Sequence, residues 1–252
     1  MGMDVSIITP VYNERDNLRK FIPQVEEVLS NTSHNFEIVI VDDNSPDGSG
    51  GVAQKLAEEY ENIKILQRPK KMGLGTAYKE GYKLTEGRLI VSIDSDLSHD
   101  PKTLLHMIEA ADTADIVIGS RFVKGGGIEG RSMWRDMLST FANYFIRVIT
   151  GHNIRDWTSG LRVYRREVWE TSMPRVECMK WDFQFESLYK ALFDNFKVKE
   201  VPITFHERLE GNSKFSITEA FYFIISFFKI LLSTPCTNKR KETNRARVLE
   251  KF

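Results

Sequence analysis

The chain has 252 residues, with 35 Lys and Arg balancing 35 Asp and Glu and a hydrophobic share of 41%. That length supports one large domain or two small ones with an ample core, and zero formal net charge gives no whole-molecule field for nucleic acid. Two cysteines, Cys178 and Cys236, make neither a disulfide framework nor a metal-ligand spacing, which points to a reducing compartment, and the N-terminus shows no secretory-signal pattern.

Residues 5–11 (Val-Ser-Ile-Ile-Thr-Pro-Val) read as a first buried strand, ending in Tyr12-Asn13-Glu14. Leu18, Phe21, Ile22, Val25, Val28 and Leu29 then recur at helical spacing; Pro23 implies that the helix starts near Phe21 or is kinked. Residues 36–41 are a second strand, followed by the acidic turn Asp42-Asp43-Asn44-Ser45-Pro46-Asp47-Gly48. A helix is expected over 51–60, a strand over 63–66, a basic glycine loop over 69–75 and a helix over 76–84. Residues 88–93 form the strand that feeds Asp94-Ser95-Asp96-Leu97-Ser98-His99-Asp100. A helix over 101–111 follows, with Asp100 as its N-cap and Pro101 at its first position, and then a strand over 115–120. The second half holds a glycine loop at 124–127, an apolar helix over 132–150, a turn into an extended piece over 156–164 and a helix over 181–193. It ends with a strand-like run over 198–205, a polar loop over 206–214, a very apolar helix over 217–232 and a basic tail over 237–252.

Alternating strands and helices mean an α/β fold: a mostly parallel sheet with helices on both faces, which binds ligands beyond the carboxyl ends of its strands. Three acid-bearing segments, at 12–14, 42–47 and 94–100, fall at that edge. Asp94 and Asp96, two residues apart where a strand ends, point the same way. Their repulsion is relieved most simply by a divalent cation with oxygen ligands, Mg2+ or Mn2+, that also grips a phosphate.

Seven segments in order then carry a resemblance: 10–14, 41–48, 73–77, 94–99, 119–122, 158–165 and 211–214. Together they resemble family 2 glycosyltransferases of GT-A fold, Rossmann-like, and within them the dolichol-phosphate (polyprenol-phosphate) mannosyltransferases. The resemblance implies a catalytic domain over 1–215, an apolar interfacial helix over 216–236 and a basic flexible tail over 237–252. It assigns Pro10, Tyr12, Glu14, Asp42, Asp94 and Ser95 to the nucleotide sugar, and Asp94, Asp96 and Ser98 to the metal, with Ser98 standing where relatives often have Gln. It gives Asp96, Arg121, Arg208 and Lys214 catalytic roles, and Arg135, Ser139 and Ser213 the acceptor phosphate. Trp181-Asp182 replaces the Gly-Tyr that relatives show before Phe183-Gln184-Phe185-Glu186.

The implied reaction moves a hexose, mannose from GDP-mannose, onto dolichyl or polyprenyl phosphate with inversion. A phosphate monoester ionises a second time near pH 6, so the nucleophile needs no general base. UDP-glucose or UDP-N-acetylglucosamine as donor, and a non-catalytic nucleotide-sugar-binding membrane subunit, are the competing readings. The 220–232 helix spans about 20 Å at about 1.5 Å per residue, short of a bilayer core of roughly 30 Å. Its Lys229 suits an interfacial position better than a buried core, with core packing left as an alternative; the resemblance implies a small membrane-anchoring subunit as a further option, and the cytosolic supply of nucleotide sugars implies peripheral attachment at the cytoplasmic face. Among single residues, one of Asp42 and Asp43 is read as a ligand contact, Arg162 and Arg165 as structural ion pairs, and Ser159-Gly160 as a backbone approach to substrate. Trp134, Phe141 and Phe145 fit a core or a lipid groove equally.

Overall fold

The computed structural model describes residues 2–130, 132–180, 182–207 and 217–233. They fall into two compact units, one within 1–214 and the other within 215–252. The first half runs β1 (Val5–Val11), α1 (Arg15–Ser30), β2 (Phe36–Asp42), α2 (Ser49–Glu59), β3 (Ile63–Gln67), α3 (Leu74–Tyr82), β4 (Leu89–Ser92), α4 (Thr103–Ala110) and β5 (Ile116–Ser120). Then follow β6 (Gly127–Glu129), α5 (Met133–Thr150), β7 (Arg162–Arg165), α6 (Arg166–Thr171), α7 (Asp182–Phe193), β8 (Val198–Pro202) and β9 (Thr204–His206). The second unit contains α8 (Ile217–Ser233).

Seven strands form one sheet in the order β3-β2-β1-β4-β7-β5-β8. All neighbouring pairs are parallel except those of β7, which runs antiparallel to both β4 and β5. The central strands are covered on both faces, which is why they read as continuous apolar runs. Ile7, Ile38, Ile40 and Val91 pack with Leu18, Phe21 and Val25 of α1, Val52 of α2 and Leu104 and Met107 of α4. On the other face α3 lies so close that a Cβ on Gly81 would meet Ile8 and Val41 at 2.8 Å.

Several boundaries differ from the sequence expectations. α1 is one continuous helix from Arg15 that contains Pro23. Its apolar face, buried from Leu18 to Leu29, holds the turns on both sides of the proline in place. Asp100 caps a turn, accepting Lys102 N–H at 2.9 Å, and α4 begins only at Thr103. The 198–205 run splits at Ile203: β8 belongs to the large sheet, while β9 pairs with β6. The extended piece after 156 is β7, the inserted antiparallel strand. Among the described residues no helix is long and apolar enough to cross a membrane. Trp181, the 208–216 loop and the 234–252 tail lie outside the described residues.

Candidate functional site at the carboxyl edge of the sheet

β1, β2 and β4 are parallel neighbours, so the turns that follow them share one edge. Each turn holds a residue in the left-handed region: Asn13 at φ 59°, Asn44 at φ 56° and Leu97 at φ 60°. Asparagine tolerates that conformation, whereas leucine does so at a cost of about 1–2 kcal/mol. At Leu97 the turn folds Ser98 back onto Asp96: the Ser98 N–H and hydroxyl both donate to Asp96 Oδ1, at 3.0 and 2.5 Å. Asp96 is buried, and Asp94 is half-buried with the Tyr78 hydroxyl 3.4 Å from its Oδ1. Burial and the adjacent Asp94 charge push the Tyr78 phenol well above its ordinary value, so it stays a donor.

The turns after β1 and β2 are stitched together. Asn13 N–H donates to Ser45 Oγ, Glu14 N–H to Ser49 Oγ and Arg15 N–H to Asp47 Oδ2, satisfying donors at the start of α1. Burial acts to raise Asp47, but hydrogen bonds from Ser49 and the Arg15 N–H outweigh it and hold the carboxyl below the usual range. Asp42 is buried and accepts the Ser45 hydroxyl at 2.6 Å, so it shapes the turn from inside. Asp43 pairs with buried Arg68 at 2.5 Å, which also donates to Thr76. Tyr12 is half-buried at the mouth of the edge, with Lys71 Nζ 4.5 Å from its ring centroid. Glu14 accepts Asn17 Nδ2 at 2.7 Å, and Pro10 sits in β1 opposite Val41. Ser95 is buried, its hydroxyl without a hydrogen-bond partner.

Arg121 follows β5 and is gripped by Asp156: Nε and Nη2 reach its two oxygens at 2.7 Å each, and the Arg121 N–H adds a third bond at 3.0 Å. Nη2 also donates to Thr158 at 2.8 Å. Burial acts to raise Asp156, but the Arg121 charge outweighs it and depresses the carboxyl. Asn143 of α5 joins this cluster, donating to Thr158 Oγ1 at 3.2 Å and accepting Trp157 N–H at 2.7 Å. Arg135 and Ser139 lie four apart on α5, hence on one face. Arg135 is exposed and meets Glu207 at 2.8 Å. Thus the structure brings Pro10, Tyr12, Glu14, Asp42, Asp94, Ser95, Asp96 and Ser98 to the turns of one edge, and ties Arg121 to α5 through Asp156 and Asn143. Arg208, Ser213 and Lys214 lie outside the described residues.

Asp156 and Tyr78 are absent from the sequence-based site, because nothing local marks their partners. Arg162 corrects the ion-pair expectation: it is wholly buried and donates to the carbonyls of Gln184 and Trp157, at 2.7 and 2.8 Å. Arg165 pairs weakly with Asp115 at 3.8 Å and caps carbonyls at the end of α4. Cys178 is a free thiol pushed up by burial and by Glu186, which leaves it unreactive.

Asp94 and Asp96 suit a hard divalent cation. Their donors are carboxylate oxygens, and among the described residues no group of three or more His, Cys, Asp or Glu gathers as a protein cage. Mg2+-type ions are commonly held in that way, by one or two carboxylates with phosphate and water completing the shell.

The comparisons bear on the family and the fold. The family model described as "Glycosyl transferase family 2" matches residues 6–172. The chain is 39% identical to a polyprenol monophosphomannose synthase from Mycolicibacterium smegmatis over 216 residues, 83% of this chain and 80% of that protein. It is 36% identical to a dolichol-phosphate mannosyltransferase from Pyrococcus furiosus over 234 residues, 91% of this chain but 64% of that longer protein. Among solved structures, a mannosyltransferase from Pyrobaculum calidifontis in complex with GDP-Man and Mn2+ superposes with a TM-score of 0.60 at 18% identity, covering 84% of this chain and 59% of that one. Glucosyl-3-phosphoglycerate synthase from Mycobacterium tuberculosis superposes at 0.66 with 16% identity, covering 92% and 80%. At these identities the structures establish the shared fold.

Proposed function

The chain belongs to glycosyl transferase family 2, and we propose that it transfers mannose from GDP-mannose to dolichyl or polyprenyl phosphate with inversion. The observation that carries this reading is the Asp94/Asp96 pair at the carboxyl end of β4, in a chain 39% and 36% identical to enzymes named for that reaction. Tyr12, Glu14 and the turn shaped by Asp42 line the place for base and ribose. A Mg2+ or Mn2+ ion held by Asp94 and Asp96 would, when bound, offset the charge that develops on the departing diphosphate. Ser98 acts through Asp96, fixing that carboxylate by two hydrogen bonds to Oδ1.

The acceptor phosphate is already dianionic near neutrality, so the chain's task is to hold two anions in line. Arg135 and Ser139, one turn apart on α5, present a cation and a hydroxyl to it. Arg121, held by its ion pair with Asp156, keeps a guanidinium at a fixed position behind the edge. Arg208, Ser213 and Lys214 add cationic and hydroxyl groups to the same task.

α5 also offers a lipid-facing surface. Met133, Trp134, Met137, Phe141, Tyr144 and Val148 are exposed, Trp134 at 71%. An amphipathic helix of this kind lies in the plane of a bilayer interface. We place the enzyme peripherally at the cytoplasmic face, where nucleotide sugars are supplied, with α5 carrying the acceptor lipid's phosphate end.

Incubation of labelled GDP-mannose with polyprenyl phosphate and Mn2+ tests the proposal: a labelled lipid product supports it, and product only from UDP-glucose or UDP-N-acetylglucosamine contradicts the donor. Dependence on added membrane extract would shift anchoring to a small subunit.

A further inference from the structure

α5 turns almost all of its surface outward: of its residues only Asn143 and Ile146 are buried, at 2% and 1% exposure. A helix usually docks through apolar side chains, and a buried amide is tolerated there only with its hydrogen bonds made. Asn143 has both ends of its amide in use. Its Oδ1 accepts the Trp157 N–H at 2.7 Å, and its Nδ2 donates to the Ser139 carbonyl at 2.9 Å and to Thr158 Oγ1 at 3.2 Å. An amide with donors and an acceptor in one plane fits one orientation of its helix, whereas an apolar contact has no such direction.

Arg135, Ser139 and Asn143 follow one another at intervals of four, so they form one ridge along α5. Exposure falls along it: Arg135 is exposed, Ser139 half-buried and Asn143 buried. At about 1.5 Å per residue, the amide stands roughly 6 Å along the axis from Ser139 and roughly 12 Å from Arg135. The ridge therefore runs from the two groups given to the acceptor phosphate down to the helix's own anchor.

The other side of that anchor is the 156–160 turn. Thr158 Oγ1 accepts both Asn143 Nδ2 and Arg121 Nη2, and its own hydrogen faces Asp156 Oδ1 at 3.4 Å. Two residues on, the Gly160 carbonyl accepts the Ser92 hydroxyl at 2.8 Å. Ser92 ends β4, two residues before Asp94. One short turn is thus bonded at one end to the strand that presents Asp94 and Asp96, and at the other to the helix that presents Arg135 and Ser139.

We propose that Asn143 is a positioning residue for the acceptor. It fixes the rotation and height of α5 against the 156–160 turn, and so sets where a phosphate held by Arg135 and Ser139 stands relative to a donor held at Asp94 and Asp96. This rests on the reading that α5 receives the polyprenyl phosphate. Displacement in line needs the attacking oxygen closely placed, and a shift of about 1 Å costs about 100-fold in rate. The donor's contacts at the carboxyl edge do not pass through Asn143, so donor binding and acceptor use should separate.

The test uses the full chain with Mn2+ and compares Asn143→Leu, similar in volume, with Asn143→Asp, which keeps an oxygen for Trp157 but loses the donors. Ile146→Val, which thins the apolar part of the same anchor, is the control. GDP-mannose binding, kcat and KM for polyprenyl phosphate, GDP release without lipid product, and Tm are measured. Both Asn143 variants are expected to bind GDP-mannose within about twofold of wild type and to lose about 10- to 100-fold in kcat/KM for polyprenyl phosphate, with a larger share of the donor lost to water. Ile146→Val should lower Tm by a few degrees and leave the acceptor KM within about twofold. Thr158→Val, which removes the same bond from the turn, should show the acceptor defect and add little to that of Asn143→Leu. Unchanged acceptor kcat/KM in the Asn143 variants, or donor binding that falls in step with transfer, would overturn the proposal; if neither variant folds, Thr158→Val decides it in the same terms. A wild type that prefers UDP-glucose would overturn the donor reading alone, and the separation is then read with that donor. No wild-type transfer to polyprenyl phosphate from any donor would overturn the acceptor reading and, with it, this role for Asn143.

Discussion

Replacing Asp156 by Asn probes the buried pair that holds Arg121. Asp156 is wholly buried, and the Arg121 side chain is 9% exposed. The carboxylate accepts two guanidinium donors at 2.7 Å, the Arg121 N–H at 3.0 Å and the Thr158 N–H at 3.3 Å. Asparagine keeps the shape but removes the charge and turns an NH2 toward a cation. Breaking a buried pair on one side leaves an uncompensated charge and costs about 3–5 kcal/mol, a large share of a domain stability of about 5–15 kcal/mol. Urea unfolding at pH 7 should show a lower midpoint with an unchanged slope. The double variant Asp156→Leu with Arg121→Met should lose less than the two single losses combined, since neither charge is then stranded. The pH dependence has a definite sign. Asp156 is depressed in the folded state from an ordinary 3.8, so its contribution is complete above about pH 4 and fades as pH falls through the lower native value. The gap between wild type and Asp156→Asn should therefore close in acid. A loss below about 1 kcal/mol at pH 7 would refute the reasoning, as would a gap that stays constant down to pH 2.

Ser98→Ala removes one of two hydrogen bonds to Asp96 Oδ1; kcat should fall about tenfold and the Mn2+ requirement should rise, as for other partners of metal ligands, both read by metal titration of the transfer assay. Trp134→Glu with Phe141→Glu places charge on the exposed face of α5; pelleting with anionic vesicles should drop while stability stays within about 0.5 kcal/mol. If the acceptor phosphate is its own nucleophile, kcat/KM should rise through about pH 6 and then stay level, without the descending limb of a general acid.

Strand positions on the sequence were legible where burial on both faces writes an unbroken apolar run, as at 36–41 and 115–120. At β7 the extended piece was legible but its antiparallel insertion between β4 and β5 was not, and the burial of Arg162 rests on carbonyls contributed by Trp157 and Gln184. At Pro23 only the late start near Phe21 fails: packing along one face of α1 lets the helix run from Arg15 through the proline. In the site, Asp94 and Asp96 announced themselves by spacing at a strand end. Asp42 and Asp43 look alike in sequence, and only the fold shows that Asp43 answers Arg68 while Asp42 answers Ser45. Asp156 and Arg121 are 35 residues apart, so no local pattern connects them.

The most direct measurement is lipid-product formation by Asp96→Ala, with labelled GDP-mannose, polyprenyl phosphate and a Mn2+ titration, beside its circular dichroism. The account predicts a folded protein with no detectable transfer at any Mn2+ concentration. Transfer at the wild-type rate, with the wild-type metal dependence, would contradict it.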